Sequence, residues 1–467
     1  MISLITWNLF DIVKAVGGEL INAPAKDILV SGVYHDSREL TKGAIFVPII
    51  AERDGHDFIQ DAIDKGAAAS FWSVGLDKAP KNLPLIKVED TEQAFREFSR
   101  WYLRQVQPKV IGITGSNGKT TTKDMTAAVL SQKFKTHKTA GNENNQLGVP
   151  KTILSMPKTT EVLVLEMGMS SPGEIAMHSQ TAHPEAVAVT MIGESHIQAF
   201  DGSREKLTDE KMSILDGLKE GGLFLHPYDE KLIDERLDGS IRNQTFGFEK
   251  KADIYAFNIS EKTEETSFSA KVTVEGEEKE LEITIPIPGK YNVNNALMAI
   301  LFGLEFGVSL QEAKEGLEHF ELTKNRLEWL DGVNETRLLN DAYNASPTSV
   351  KAALSYFSKI DTDGERIVVL GDVLELGEQS KVLHESIAEA VELEKYKAVF
   401  LYGEEMEALY DVLNKREKSE RVAHFSGDKK PLIQEIEKIT EPGDIVLFKS
   451  SNGTDLLSVV DQLRVDK

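Results

Sequence analysis

The run Gly115-Ser116-Asn117-Gly118-Lys119-Thr120-Thr121 carries the residue types that phosphate chemistry requires. Glycines let backbone N–H groups approach phosphate oxygens, a lysine reaches the β- and γ-phosphates, and a threonine hydroxyl can hold Mg²⁺. The spacing departs from the usual phosphate loop. Ile113 stands where the first glycine is expected, with Gly112 one residue early and Gly115 inside. Glu166 ends an apolar run that starts at Glu161. A carboxylate at the carboxyl end of such a strand, beside a phosphate loop, is placed to hold a metal ion. His196 follows the next strand-like run, and a single histidine serves as a structural hydrogen-bonder as readily as a ligand. Lys211 sits on a predicted helix, where spacing alone gives a lysine only a solvated role.

Other polar groups are open to two readings. Asn142, Asn144 and Asn145 fall in a glycine-containing amide cluster that reads as ordinary loop chemistry. Ser37 and Arg38 follow a strand and suit either a solvated turn or an anion contact, and Glu52 to His56 has the same ambiguity. Asn294 and Asn295 fall in the first turn of a helix, where amides cap the turn or meet a base edge. In the last third, polar groups collect after strands at Asp341 to Asn344, at Gly371-Asp372 and at Lys449 to Ser451, the end of an α/β sheet where ligands bind.

The elements that must position these groups alternate strand and helix. Val110 and Ile111 run into the glycine turn, which opens a helix from Thr121 to about Lys133. Upstream, a helix is expected from Asn8 to Val16, strands at 28–34 and 44–48, and helices at 58–65 and 91–105. Gln105 to Pro108 reads as a linker, since proline disfavours continuing the preceding helix. Further strands are expected at 161–166 and 186–190, a helix at 204–218, antiparallel hairpins over 251–287 and a helix at 292–306. From about Lys324 the strand–helix rhythm predicts a mostly parallel sheet covered on both faces, with one helix spanning 380–393. The fold class is therefore α/β in three domains: a small N-terminal α/β domain (1–108), a central phosphate-loop ATPase-type domain (109–323) and a C-terminal Rossmann-like domain (324–467).

Composition bounds the partners. The 467 residues carry a net charge of −23, which argues against nucleic acid or an anionic membrane surface but leaves room for an anionic substrate in a locally basic cleft. The absence of cysteine excludes disulfides and thiolate metal sites. The start, Met1 to Trp7, has no basic segment followed by an apolar core, and no apolar run reaches membrane-spanning length. A cytoplasmic protein with no membrane insertion is expected.

Taken together, the phosphate loop, Glu166, the His196 loop, Asn294-Asn295, Arg326 and Asp341-Ala342-Tyr343-Asn344 resemble the Mur ligase family of ATP-dependent amide-forming enzymes, over the whole chain and in the family's domain order. The longer runs Gly141 to Pro150, Glu166 to Ser170, Asp341 to Pro347 and Val369 to Gly377 are similar to the branch that adds D-alanyl-D-alanine to UDP-N-acetylmuramoyl-tripeptide. The resemblance implies ATP and Mg²⁺ as cofactors, those two molecules as substrates, and a monomer. It implies catalytic roles for Lys119, Lys211 and His196, and an ATP site from Gly115 to Thr121 with Asn294, Asn295, Arg326 and Asp341. It also implies substrate contacts at Ser37, Arg38, Asn142, Asn144, Asn145, Tyr343 and Asn344. Thr120, Glu166, His196 and a carbamylated Lys211 would be the metal ligands. The implied functional end of the branch differs at one place: Lys449-Ser450-Ser451-Asn452 stands where Lys-Gly-Ser-Arg is common, leaving Lys449 to keep part of the missing arginine's contact. Ligases of the same family that add a single amino acid, folylpolyglutamate-type ligases, and a phosphate-loop NTPase switch are the alternatives.

Overall fold

The computed structural model describes residues 5–323 and 326–465. The expected boundary at Lys324 and the first residues of the N-terminal segment lie outside them. Three units follow in chain order, each with its own main sheet.

In the N-terminal unit, the strands Glu19–Ile21, Leu85–Lys87, Ala69–Trp72, Ile45–Phe46 and Val33–Tyr34 lie side by side, parallel except for the first pair. The single strand expected over 28–34 is two. Gly32, at φ +85°, breaks it, so that Leu29–Ser31 pairs with Thr6–Asn8 while Val33–Tyr34 joins the larger sheet.

The central sheet has nine strands. Lys109–Thr114, which leads into the phosphate loop, lies between Val162–Glu166 and Ala186–Val189 and is parallel to both. Side chains alternate between two cores. Ile111, Ile113, Val162, Val164, Ala186 and Ala188 pack on one side, against the helices Lys119–Ser131, Tyr291–Glu305 and Leu310–Glu318. Val110, Leu163, Leu165, Val187 and Val189 pack on the other. Burial on both faces is why these strands read as continuous apolar runs. The hairpins Ile254–Glu261, Thr266–Val274 and Glu277–Ile285 are antiparallel as expected, and they extend this same sheet. The helix expected over 204–218 ends at Met212 and tightens into a 3₁₀ turn, Ser213–Gly217. Gly217 lies directly on the backbone of Ser179, which leaves no room for a side chain.

The C-terminal sheet runs Glu328–Asp331, Arg337–Asp341, Ile445–Lys449, Arg366–Gly371, Ala398–Tyr402, Val422–Phe425 and is parallel after its first pair. The helix expected over 380–393 stops at Ile387 and gives way to short 3₁₀ turns. No helix among the described residues is long and apolar enough to cross a membrane.

Candidate active site

A cleft of about 610 Å³ opens at the carboxyl ends of the central and C-terminal sheets and is walled by both units. The phosphate loop forms its floor. Gly118, at φ +84°, starts the helix Lys119–Ser131. A methyl at Gly118 would come within 2.7 Å of Asn295 Oδ1, so glycine is required there by space as well as by conformation. The loop is braced by its neighbour strand: Thr190 Oγ1 donates to the Asn117 carbonyl (2.6 Å) and Gly193 N–H donates to Ser116 Oγ (2.8 Å). Lys119 Nζ donates to the Gly115 carbonyl (2.8 Å), and burial holds its ammonium below the usual range.

Glu166 projects from its strand end beside this floor. Its Oε1 accepts from Thr120 Oγ1 (3.2 Å) and Asn144 Nδ2 (2.7 Å). Its Oε2 is buried with no hydrogen-bond partner among the described residues. A buried carboxylate oxygen left over next to a phosphate-loop threonine suits a divalent cation. Among the described residues no three His, Asp or Glu side chains form a ready-made metal cage.

His196 also lines the cleft. Its imidazole Nδ1 meets the carboxylate of Glu375, from the C-terminal unit. The hydrogen bond and charge of His196 hold the Glu375 carboxyl below its usual range. Lys211 does not line the cleft. It is fully buried, and burial, reinforced by the nearby charge of Lys119, pushes its amine well below the usual range.

The amides divide by use. Asn295 is committed internally, accepting from Thr122 Oγ1 (3.1 Å) and donating to Asn292 Oδ1 (3.0 Å). Asn294, beside it on the cleft wall, has a buried Oδ1 with no partner among the described residues. Asn145 Oδ1 accepts from the amides of Leu147 (3.2 Å) and Gly148 (2.8 Å) and so starts the helix Gly148–Ser155.

From the C-terminal unit, Arg326 lies over the Tyr343 ring (4.6 Å). Burial raises the Tyr343 hydroxyl, and Arg326 and a hydrogen bond with Asn142 partly offset this. Asp341 pairs with buried Lys449 (2.7 Å), which also donates to the Asn344 carbonyl (2.9 Å). Lys449 thus ties the 341–344 loop to its strand end at the cleft wall. Asn452 stands exposed on the rim.

Ser37 and Arg38 lie apart from this cleft. Ser37 is buried, and exposed Arg38 pairs with Asp36 (2.6 Å). Their loop borders a smaller cleft of about 190 Å³, whose walls include His35, Asn142 and Lys151. His56, in the second ambiguous loop, is buried against Asp54 and serves the fold. Sequence reasoning missed Tyr291 and Ile287, which line the cleft near Asn294; Pro288-Gly289 before the helix was the available signal. It also gave Glu375 no role.

A model of the Mur ligase middle domain matches residues 113–303, and one of the Mur ligase glutamate ligase domain matches 325–452. The UDP-N-acetylmuramoyl-tripeptide–D-alanyl-D-alanine ligase of Bacillus subtilis (strain 168) is 39% identical over 97% of each chain. This chain belongs to the Mur ligase family. Among solved Mur ligases, MurF from Acinetobacter baumannii superposes with a TM-score of 0.86 at 26% identity, covering 99% of both chains. MurF from Thermotoga maritima, solved in complex with ADP, superposes at 0.78 and 26% identity, covering 92% of this chain and 96% of that one.

Proposed function

We propose that this Mur ligase joins D-alanyl-D-alanine to UDP-N-acetylmuramoyl-tripeptide with ATP, in cytoplasmic assembly of the peptidoglycan precursor. The observation that carries the reading is the single cleft in which a phosphate loop faces the polar strand ends of a second α/β unit, in a chain aligned end to end with a relative of that name. The γ-phosphoryl of ATP passes to the peptide's terminal carboxylate, giving an acyl phosphate and ADP. The dipeptide amine attacks the acyl carbon, and the tetrahedral adduct expels phosphate with loss of a proton from nitrogen.

Each residue group has a task in that sequence. The Gly115–Thr121 backbone cradles the phosphates, and Lys119 leaves its loop carbonyl to meet the transferring phosphoryl group. Asn294 meets the base edge, while Arg326 and Asp341 face the ribose and phosphates. Asn142, Asn144, Tyr343 and Asn344 contact the acceptor peptide or the incoming amine, and the 37–38 loop belongs to the unit that grips the UDP end. Thr120, Glu166 and His196 would hold Mg²⁺, which supplies charge neutralisation between two approaching anions. Lys211, whose neutral amine is favoured by burial, can attack CO₂ and lose a proton; the resulting carbamate sets an anion next to Lys119. We divide the chain functionally at residues 108 and 323, with closure of the last unit excluding water from the acyl phosphate, and take the working unit as a monomer.

The test is phosphate release. It is expected only when ATP, UDP-MurNAc-tripeptide and D-Ala-D-Ala are all present. Release with a single amino acid in place of the dipeptide, and none with the dipeptide, would overturn the assignment in favour of another Mur ligase activity.

A further inference from the structure

His196 and Glu375 belong to different units, and both are held in left-handed backbone, each at φ +63°. Non-glycine residues adopt that conformation only when the surroundings impose it, and such positions gather at functional sites. Here the two strained residues face one another. Their loops are stitched together on both sides of the contact: Gln198 N–H donates to the Glu375 carbonyl (3.2 Å), and Gln379 Nε2 donates to the Gly202 carbonyl (2.8 Å). Gly377, also left-handed, lies on the Gln198 side chain, where a methyl would come within 2.9 Å. The Glu375 carboxylate lies within ion-pair distance of the imidazole Nδ1, a buried ring nitrogen with no other partner among the described residues.

We infer that Glu375 is a positioning residue that fixes the tautomer and orientation of His196, and does so only while the C-terminal unit is docked. A carboxylate at Nδ1 accepts a hydrogen bond from the ring N–H there and so leaves the lone pair on Nε2, which is the arrangement a metal-binding imidazole needs. Because Glu375 arrives with the other unit, the cation site is complete only in the closed molecule. An open enzyme binds its nucleotide with a weaker cation contact, and docking strengthens it. The inference rests on the proposed role of His196 as a Mg²⁺ ligand.

The experiment uses the full chain with a non-hydrolysable ATP analogue and Mn²⁺ as the probe, read by paramagnetic resonance. It compares wild type, Glu375→Ala, Glu375→Gln and His196→Ala. Glu375→Ala is expected to weaken Mn²⁺ binding about tenfold, the usual effect of losing a carboxylate behind a metal-binding histidine. Glu375→Gln keeps an acceptor oxygen and is expected to restore most of it. Imidazole ¹⁵N shifts of histidine-labelled protein should show the Nδ1–H form of His196 in wild type and its loss in Glu375→Ala. Unchanged Mn²⁺ affinity and an unchanged tautomer in Glu375→Ala, with His196→Ala impaired, would overturn the inference alone. Unchanged affinity in His196→Ala would overturn the underlying metal assignment and the inference with it.

Discussion

Lys119 and Lys211 lie within electrostatic reach of each other in a buried setting, and the charge of Lys119 adds to burial in lowering the proton affinity of Lys211. A pair of like charges in that position is unfavourable, which favours the neutral amine at Lys211. If the neutral amine carries a carbamate in the working enzyme, Lys211→Ala should lose about a hundredfold or more in turnover while keeping its fold. Intact-mass measurement under carbon dioxide should find the carbamate on wild type and not on the variant. His178 offers a separate test, of stability. Burial holds its ring down to about 4 from 6.5, the hydrogen bond with Gly168 working against this and the Arg96 charge with it. The unfolded chain therefore takes up this proton near pH 6.5 and the folded chain only near pH 4. Between those values acid favours unfolding, and stability rises with pH. At pH 5 the effect is about 2 kcal/mol. Urea titrations at pH 7 and pH 5 should show wild type losing about that much more than His178→Gln.

At the scale of elements, the helix Lys119–Ser131 serves two purposes. Its first turn lines the cleft, and Asp124, one turn on, gathers the end of the central unit. Asp124 is fully buried and pairs with Lys123 (3.2 Å) and Lys138 (2.6 Å). It also accepts from the Thr323 amide (2.9 Å) and hydroxyl (2.8 Å). Burial works to raise its carboxyl, and the charges of Lys123 and Lys138 outweigh that and hold it low. Asp124→Ala would strand Lys123 as an unpaired buried charge, and should cost about 3–5 kcal/mol in chemical denaturation. The sequence made parts of this legible. The apolar run at Glu166 and the glycine turn at Gly115 carry their own local signals, and the structure sets them side by side. Arg242–Gly247 and Val422–Phe425 escaped because they are short and mixed in polarity, and only a neighbouring strand makes them strands. The pairing of Asp124 with Thr323, like that of His196 with Glu375, joins positions far apart in the chain, and no local pattern marks it. Asn295 shows how a long-range partner adds to a local reading: its type suits a base edge, and Thr122 and Asn292 hold its amide in place at the cleft wall with one N–H and one lone pair left over.

For the whole molecule, polar contacts around the cleft join the central and C-terminal units beside a shared apolar cluster. Ser346 Oγ donates to Asn117 Oδ1 of the phosphate loop (3.1 Å), and Thr348 Oγ1 donates to Glu194 (2.8 Å). On the outer edge, Arg337 pairs with Glu264 (3.0 Å) and Tyr356 donates to the Thr263 carbonyl. Contacts of this kind are each worth about 1 kcal/mol, so the docked arrangement is open to adjustment by ligand. Ser346→Ala combined with Thr348→Val should shift the docking equilibrium by about tenfold toward open forms, seen as a larger radius of gyration in small-angle scattering with nucleotide bound.

The link from Asp124 to Thr323 has a use for observation. The Thr323 amide proton is donated to a side chain rooted on the helix Lys119–Ser131, whose first turn lines the cleft. Its exchange with deuterium oxide is thus a built-in gauge: loading the cradle should slow the swap at this one amide before any gross movement is detected. A rate indifferent to nucleotide would mean that cradle and pivot work independently.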